Sequence, residues 1–216
     1  GHALAAPPAR VTTRGFREAS QYQGRVSVAI NMSGERFADE TESTGEEVLN
    51  QRLAQQPSGR GFYIMDDALM EQYPMQNRGS LIRVILERAR EIGAVVVEGT
   101  TLDELCKGLA QHGVPEACAL ATLKEFNAAI ANGRADELKP ARRGNRRPLR
   151  SAPFRAIAVK AGITFTMGGL AVDERARVLW RAGTTSHYAP VPVERAYIQN
   201  DGASTVIGQH YRQMPM

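Results

Sequence analysis

The residues with the most to offer chemically lie in the last quarter of the chain. His187-Tyr188 is an adjacent His-Tyr pair, and the two side chains could supply an acid or base near neutral pH. Upstream, Gly162–Leu179 reads GITFTMGGLAVDERARVL. Ile163 and Phe165 alternate with Thr164 and Thr166, as a half-buried strand requires, until Gly168-Gly169 breaks the pattern. A glycine pair inside a strand signature marks a bulge, or a place where the backbone must approach something closely. Other chemistries lack their patterns. There is no GxGxxG or P-loop to cradle a phosphate and no GxSxG nucleophile elbow. His2, His112, His187 and His210 are scattered without metal-ligand spacing, so no metal is expected.

Composition bounds the partners. The 216 residues, 43% hydrophobic and 23% charged, suit one large or two small globular domains. The net charge of +4 is modest, and five arginines without an acid crowd into Arg142–Arg150. That stretch reads as a solvated, Gly- and Pro-containing loop, because a nucleic-acid surface spreads its charge along a face. Two cysteines in helix-like surroundings suggest a reducing compartment, hence a cytoplasmic location. No apolar run is long enough to span a membrane, so neither membrane nor nucleic acid is expected as a partner. Gly1-His2 and Met214-Pro215-Met216 look like cut ends of a longer polypeptide.

The elements that must position these residues follow from periodicity. Arg25–Ile30 alternates as a strand, Asn31-Met32-Ser33-Gly34 supplies turn chemistry, and Glu35–Ala38 resumes the strand, which makes a hairpin. In it Arg36 and Glu40 are expected to pair. Thr44 caps a helix running to Leu53. Phe62–Met65 is a buried strand, and Asp66 is placed to N-cap a short helix. Leu81, Ile82, Ile85, Leu86 and Ala89 form a helical stripe stopped by Gly93, and Val95–Val97 is a strand. Thr101 and Glu104 make a capping box. Leu120, Leu123, Phe126 and Ile130 stripe the helix opened by Pro115. Phe154–Lys160 is a strand, Val178–Trp180 returns as strand, and Ala182–Tyr188 reads as turn-rich before Val191–Val193 and Thr205–Ile207.

Several motifs, in order, resemble the fumarate reductase/succinate dehydrogenase flavoprotein superfamily. Asn31–Glu40 resembles its N-x-x-G-x-R-F-x-x-E hairpin, and Thr101–Leu105 and Thr122–Asn127 resemble two of its helix segments. Asp136 falls where a family aspartate follows. Pro153-Phe154-Arg155-Ala156 and Thr164–Val172 resemble its PFyA and T-x-T-x-GG segments. The resemblance implies an α+β fold: the capping domain of a flavoprotein oxidoreductase, a small mixed sheet with several helices, flanked by strands of an FAD domain. Residues 1–40 would link from that domain, 41–152 would be the helical cap, and 153–216 would return toward it. FAD would belong to the full-length parent and is not expected in this fragment, whose partners would be the missing FAD domain and a small carboxylate substrate.

By the same resemblance, Met167, Gly168 and Gly169 would face the cofactor. Arg17, Tyr22, Arg25, Phe165 and Thr166 would bind substrate, since guanidinium groups hold carboxylates bidentately. His187, Tyr188 and Arg14 would be catalytic. Two departures argue against fumarate reduction. Thr44 stands where such reductases place a proton-donating arginine, and Phe165 stands where they place a substrate-binding histidine. A tricarballylate dehydrogenase-like branch is closer. The alternative is a stand-alone binding module that kept the cap fold without catalysis.

Overall fold

Phe62, Tyr63, Ile64 and Met65 are all buried, which a strand achieves only when both faces of its sheet are covered. The computed structural model describes residues 2–6, 19–42, 47–74 and 80–163, and the backbone of two further strands, Val178–Ala182 and Thr185–Ala189. Five strands form one sheet: β1 (His2–Ala5), β2 (Val28–Asn31), β3 (Arg60–Met65), β4 (Val96–Gly99) and β5 (Phe154–Gly162). β5 is central. It pairs with β3 along one side, and with β4 and β1 in succession along the other, while β2 flanks β3. Every one of these pairings is antiparallel, so the mixed sheet expected from sequence is instead an antiparallel one.

The two-residue period of the strands sorts their side chains into two cores. Val28, Ile30, Phe62, Ile64, Ala156 and Ala158 face helices α3 (Leu102–Ala110) and α4 (Glu116–Ala131). Ala29, Tyr63, Met65, Ile157 and Val159 face α1 (Glu47–Ala54) and α2 (Ile82–Glu91). The expected stripes are core in part: in that of α2, Ile82, Leu86 and Ala89 are buried but Leu81 and Ile85 are half-buried, and α4 is slightly rotated. Ala119, Leu123, Phe126 and Ala129 are its buried residues, while Leu120 and Ile130 pack partly buried at the margin.

Local signals are mostly honoured, and some are re-used. The strand expected from Arg25 begins only at Val28, because Gly24–Val26 forms a 3-10 turn. Gly34 closes the hairpin turn with φ +81°, and a Cβ there would lie 2.7 Å from the Ala119 amide nitrogen. The glycine is thus required both for its conformation and for the close approach of α4. Thr101 caps α3 through its hydroxyl, which accepts from the Glu104 amide at 3.1 Å. Glu104 reaches back one residue further than a capping box requires. Its carboxylate accepts from the Thr100 amide at 2.8 Å, and this bond with the Thr100 hydroxyl holds the carboxyl below its usual range.

Asp66 departs from expectation. It makes no side-chain cap, and its carboxylate is committed elsewhere. Thr44 lies outside the described residues.

The chain divides into compact units at residues 162 and 163. In the second unit, β6 (Val178–Ala182) and β7 (Thr185–Ala189) pair antiparallel, with Trp180 opposite His187 and Leu179 opposite Tyr188. The stretch read as turn-rich is therefore mostly strand. Its Thr, Ser and Tyr residues suit a paired strand as well as a turn, and pairing with β6 decides between them. The glycine pair and the expected strands at 191–193 and 205–207 lie outside the described residues. Among the described residues, no helix is long and apolar enough to cross a membrane.

Candidate functional site

The hairpin after β2 presents Asp39 and Glu40 inward, both buried. Glu40 accepts from Arg36 Nε at 3.1 Å and Nη2 at 2.7 Å, the bidentate fork expected for this pair. Its Oε1 also accepts from the Ala29 amide at 2.9 Å, on the edge of β2 away from β3. A second guanidinium then arrives from over a hundred residues away. Arg142 Nη1 lies 2.6 Å from Glu40 Oε2, with the arginine only 1% exposed. Both arginines lie near the ring of Phe126, at 5.3 Å and 5.9 Å from its centroid, within cation–π range.

Two cations on one buried carboxylate leave an excess of positive charge, which burial would penalise heavily if nothing offset it. Carbonyl oxygens take up the remaining donors. Arg36 donates to Pro140 O and Ala38 O, and Arg142 to Ser27 O and Arg25 O. Asp39 supplies the second negative charge. Burial alone would raise its pKa, but the bonds from Thr41, the Arg143 amide and the field of Arg142 together hold it below the ordinary carboxylate value.

The same loop is held at two further points. Asp66, fully buried, accepts from Arg147 Nη2 at 2.7 Å and 2.9 Å, and from the amides of Arg150 and Ser151 at 3.0 Å each. Asn127 on α4 clasps Leu149 from both sides of its carboxamide, donating to the carbonyl and accepting from the amide. The arginine-rich stretch is therefore not a uniformly solvated face. Arg142 is core, Arg147 is partly buried against Asp66, and Arg143 is left exposed. This correction has a physical reason: a local run of like charge carries no information about acids brought near it by a distant hairpin.

Of the residues singled out for function, the structure describes few. Tyr22 is buried and meets His2 edge-on, with centroids 5.2 Å apart. Arg25 sits half-buried on the 3-10 turn Gly24–Val26. His187 and Tyr188 are adjacent on β7. Arg14, Arg17, Phe165, Thr166, Met167, Gly168 and Gly169 lie outside the described residues. Arg36 and Glu40 pair as expected. Sequence reasoning missed Arg142, Asp66 and Asn127; the one local hint was Asp39-Glu40, two adjacent acids at a hairpin's end with only one arginine nearby in sequence.

The cluster's chemistry is containment. Its arginine donors and carboxylate acceptors are engaged with one another or with the backbone, so it holds segments in place and does not present a reactive group. A surface groove of about 370 Å³ adjoins it, lined by Glu35, Arg36, Thr122, Glu125, Leu138 and Lys139, and its mixed charge favours no one ligand class. A Cβ at Gly61 would meet Ile30 O at 2.3 Å, and one at Gly99 would meet the Leu105 amide nitrogen at 2.4 Å. Protein already fills the space at both, so these two glycines build no flavin cradle. Among the described residues no group of His, Cys, Asp and Glu is placed to hold a metal.

Known proteins similar to this chain agree in kind. It is 28% identical over 156 residues to an NADH:acrylate oxidoreductase of Vibrio harveyi, covering 72% of this chain and 14% of that one. It is 29% identical over 175 residues to a 4-oxocyclohexanecarboxylate 2-dehydrogenase of Sinomonas cyclohexanicum, covering 73% and 29%. A urocanate reductase of Eggerthella lenta is 23% identical, with coverages of 77% and 25%. The chain thus spans less than a third of the length of each of these relatives. In fold it is similar to the open conformation of a flavocytochrome c3 fumarate reductase, with TM-score 0.55, 20% identity, and coverage of 82% of this chain and 27% of that one. The 3-ketosteroid delta1-dehydrogenase of Sterolibacterium denitrificans gives TM-score 0.55 at 22% identity, covering 82% and 34%. The FAD binding domain family matches residues 2–187, and the chain belongs to this family of FAD-dependent oxidoreductases.

Proposed function

We propose that this chain is the capping, substrate-side region of an FAD-dependent oxidoreductase whose substrate is small and carboxylated. The observation that carries the reading is the family match over residues 2–187, in a chain with relatives named for acrylate, 4-oxocyclohexanecarboxylate and urocanate. The reaction class is hydride transfer between FAD and that substrate, with a protein group handling the proton. Residues 1–40 and 153–216 link to the FAD domain, and 41–152 form the cap. Arg25, with Arg14 and Arg17, supplies cationic donors for a carboxylate. Thr44 and Phe165 replace an arginine and a histidine of fumarate reductases, which favours a different substrate, as in a tricarballylate dehydrogenase-like branch.

The test has two arms. In the full-length FAD-loaded protein, anaerobic mixing with a panel of di- and tricarboxylates should bleach the flavin with at least one of them, or reoxidise reduced flavin with its unsaturated partner. A panel that leaves both redox states untouched overturns the reading. The chain by itself should purify colourless and bind added FAD weakly, and a stoichiometric yellow preparation would overturn the assignment of the cofactor site to other parts of the polypeptide. The competing view, a non-catalytic module with the cap fold, predicts carboxylate binding with no change in flavin absorbance.

A further inference from the structure

We propose that Arg142 is a positioning residue for substrate binding, acting through the turn that carries Arg25. This rests on the functional reading above and adds to it a residue outside the expected pocket.

Glu40 does not require Arg142. Arg36 already gives it a bidentate, one-to-one ion pair, with side chains 3% and 0% exposed. A second buried guanidinium on the same carboxylate adds desolvation cost, so its other bonds account for its presence. Those bonds go to three separate segments: Glu40 Oε2 at 2.6 Å, Asn145 O at 3.4 Å from both Nε and Nη2, and the 25–27 turn. Nη1 donates to Ser27 O at 3.2 Å and Nη2 to Arg25 O at 3.1 Å.

The turn's own bonds are local, from Val26 N and Ser27 N back to Gln23 O and from Ser27 N to Gly24 O. They set its shape, and Val26 packs against the core that faces α1 and α2. Arg142 adds a polar anchor from one side. From the other, Gly24 leaves no room for a Cβ, which would meet Leu49 Cδ2 at 2.6 Å and the Tyr63 ring at 2.8 Å. The planar fork is suited to this task because two donors on one rigid group set the spacing of two carbonyls, which a lysine cannot do. Orientation of the Arg25 backbone in turn sets where its side chain emerges.

The experiment is a double-mutant cycle in the full-length FAD-loaded protein, following KM and kcat for the best carboxylate. R25A should raise KM about 10-fold or more, with kcat within about 3-fold. R142K should raise KM about 5-fold with kcat likewise preserved, and R142K in the R25A background should change KM by less than about 2-fold, because there is nothing left to position. Should R142K fail to accumulate, R142Q serves, since it leaves Arg36 and Glu40 as a neutral pair. Independent, multiplicative effects on KM overturn the proposal, as does an R142K or R142Q protein with lowered Tm and unchanged KM. An R25A protein with unchanged KM overturns it too, and then flavin bleaching by carboxylates in that same variant shows that the functional reading survives. Loss of bleaching by every carboxylate in the wild type instead sinks the functional reading itself.

Discussion

Glu40 lies 2.7 Å from Arg36, and Glu71 lies 2.9 Å from Arg83. Distance makes these pairs look equivalent, and each acid-arginine group is joined by a third member, Arg142 in one case and Glu87 in the other. Their surroundings separate them. The Arg36 and Glu40 side chains are 3% and 0% exposed, whereas those of Arg83 and Glu71 are 48% and 67% exposed. Water screens the second group and competes for each of its hydrogen bonds, while the first has no substitute for a lost partner. The buried group also joins the loop after α4 to the 25–27 turn and the hairpin, over a hundred residues earlier in sequence. An ion pair in this fold matters in proportion to what it would leave behind.

Removing the shared acid is the most severe way to break that comparison. E40Q strands two buried guanidinium groups with Asp39 as the remaining nearby negative charge, and it weakens the acceptor for the Ala29 amide. The expected loss is about 3–5 kcal/mol in urea unfolding, the usual cost of an uncompensated buried charge. A loss below about 1 kcal/mol would mean that the cluster is wet in solution and belongs with the surface pairs.

How much of this was legible in the sequence follows from the range of each interaction. Turn and cap signals act over a few residues, so the Asn31–Gly34 turn, the Thr101 cap and the apolar stripes could be read directly. The Arg36–Glu40 pair spans four residues and was legible for the same reason. Arg142 and Asp66 were misread because a side chain's nearest charges in the fold come from segments that sequence cannot bring together. Asp66 looked like an N-cap since aspartate before a short helix usually is one, yet Arg147 and two amides outbid that role. β7 was misread where strand and turn draw on the same polar residues, and the partner strand decides. Of the candidate site, the arginines proposed to bind carboxylate rested on family likeness, and Arg14 and Arg17 lie outside the described residues.

A middle case sharpens the comparison. Asp66 is fully buried, but its arginine partner is 31% exposed. In D66N the Arg147 side chain can turn to water, and the remaining cost falls on the amides of Arg150 and Ser151, which already share Oδ2 and would exchange a charged acceptor for a neutral carboxamide oxygen. The expected loss is about 1–3 kcal/mol, between the two extremes. Hydrogen exchange should locate it at the amides of residues 150 and 151, leaving those of the hairpin protected. Equal loosening of the hairpin would show that the loop's three attachments melt as one unit.

The smallest effect belongs to the exposed group, and it is informative because it is small. R83A removes two ion pairs at once, to Glu71 and Glu87, yet it leaves no buried group unpaired. Arg83 lies on the solvent side of α2, whose core contacts come from Ile82, Leu86 and Ala89. Alanine is at least as good a helix former, which offsets part of whatever the pairs contribute. The unfolding midpoint should stay within measurement error, and raising salt from 0.05 to about 0.5 M should move wild type and R83A alike, since screening has already removed most of the attraction. A midpoint that drops in R83A and is restored in wild-type-like fashion by no salt concentration would place this pair with the buried cluster, and burial would then no longer separate the two.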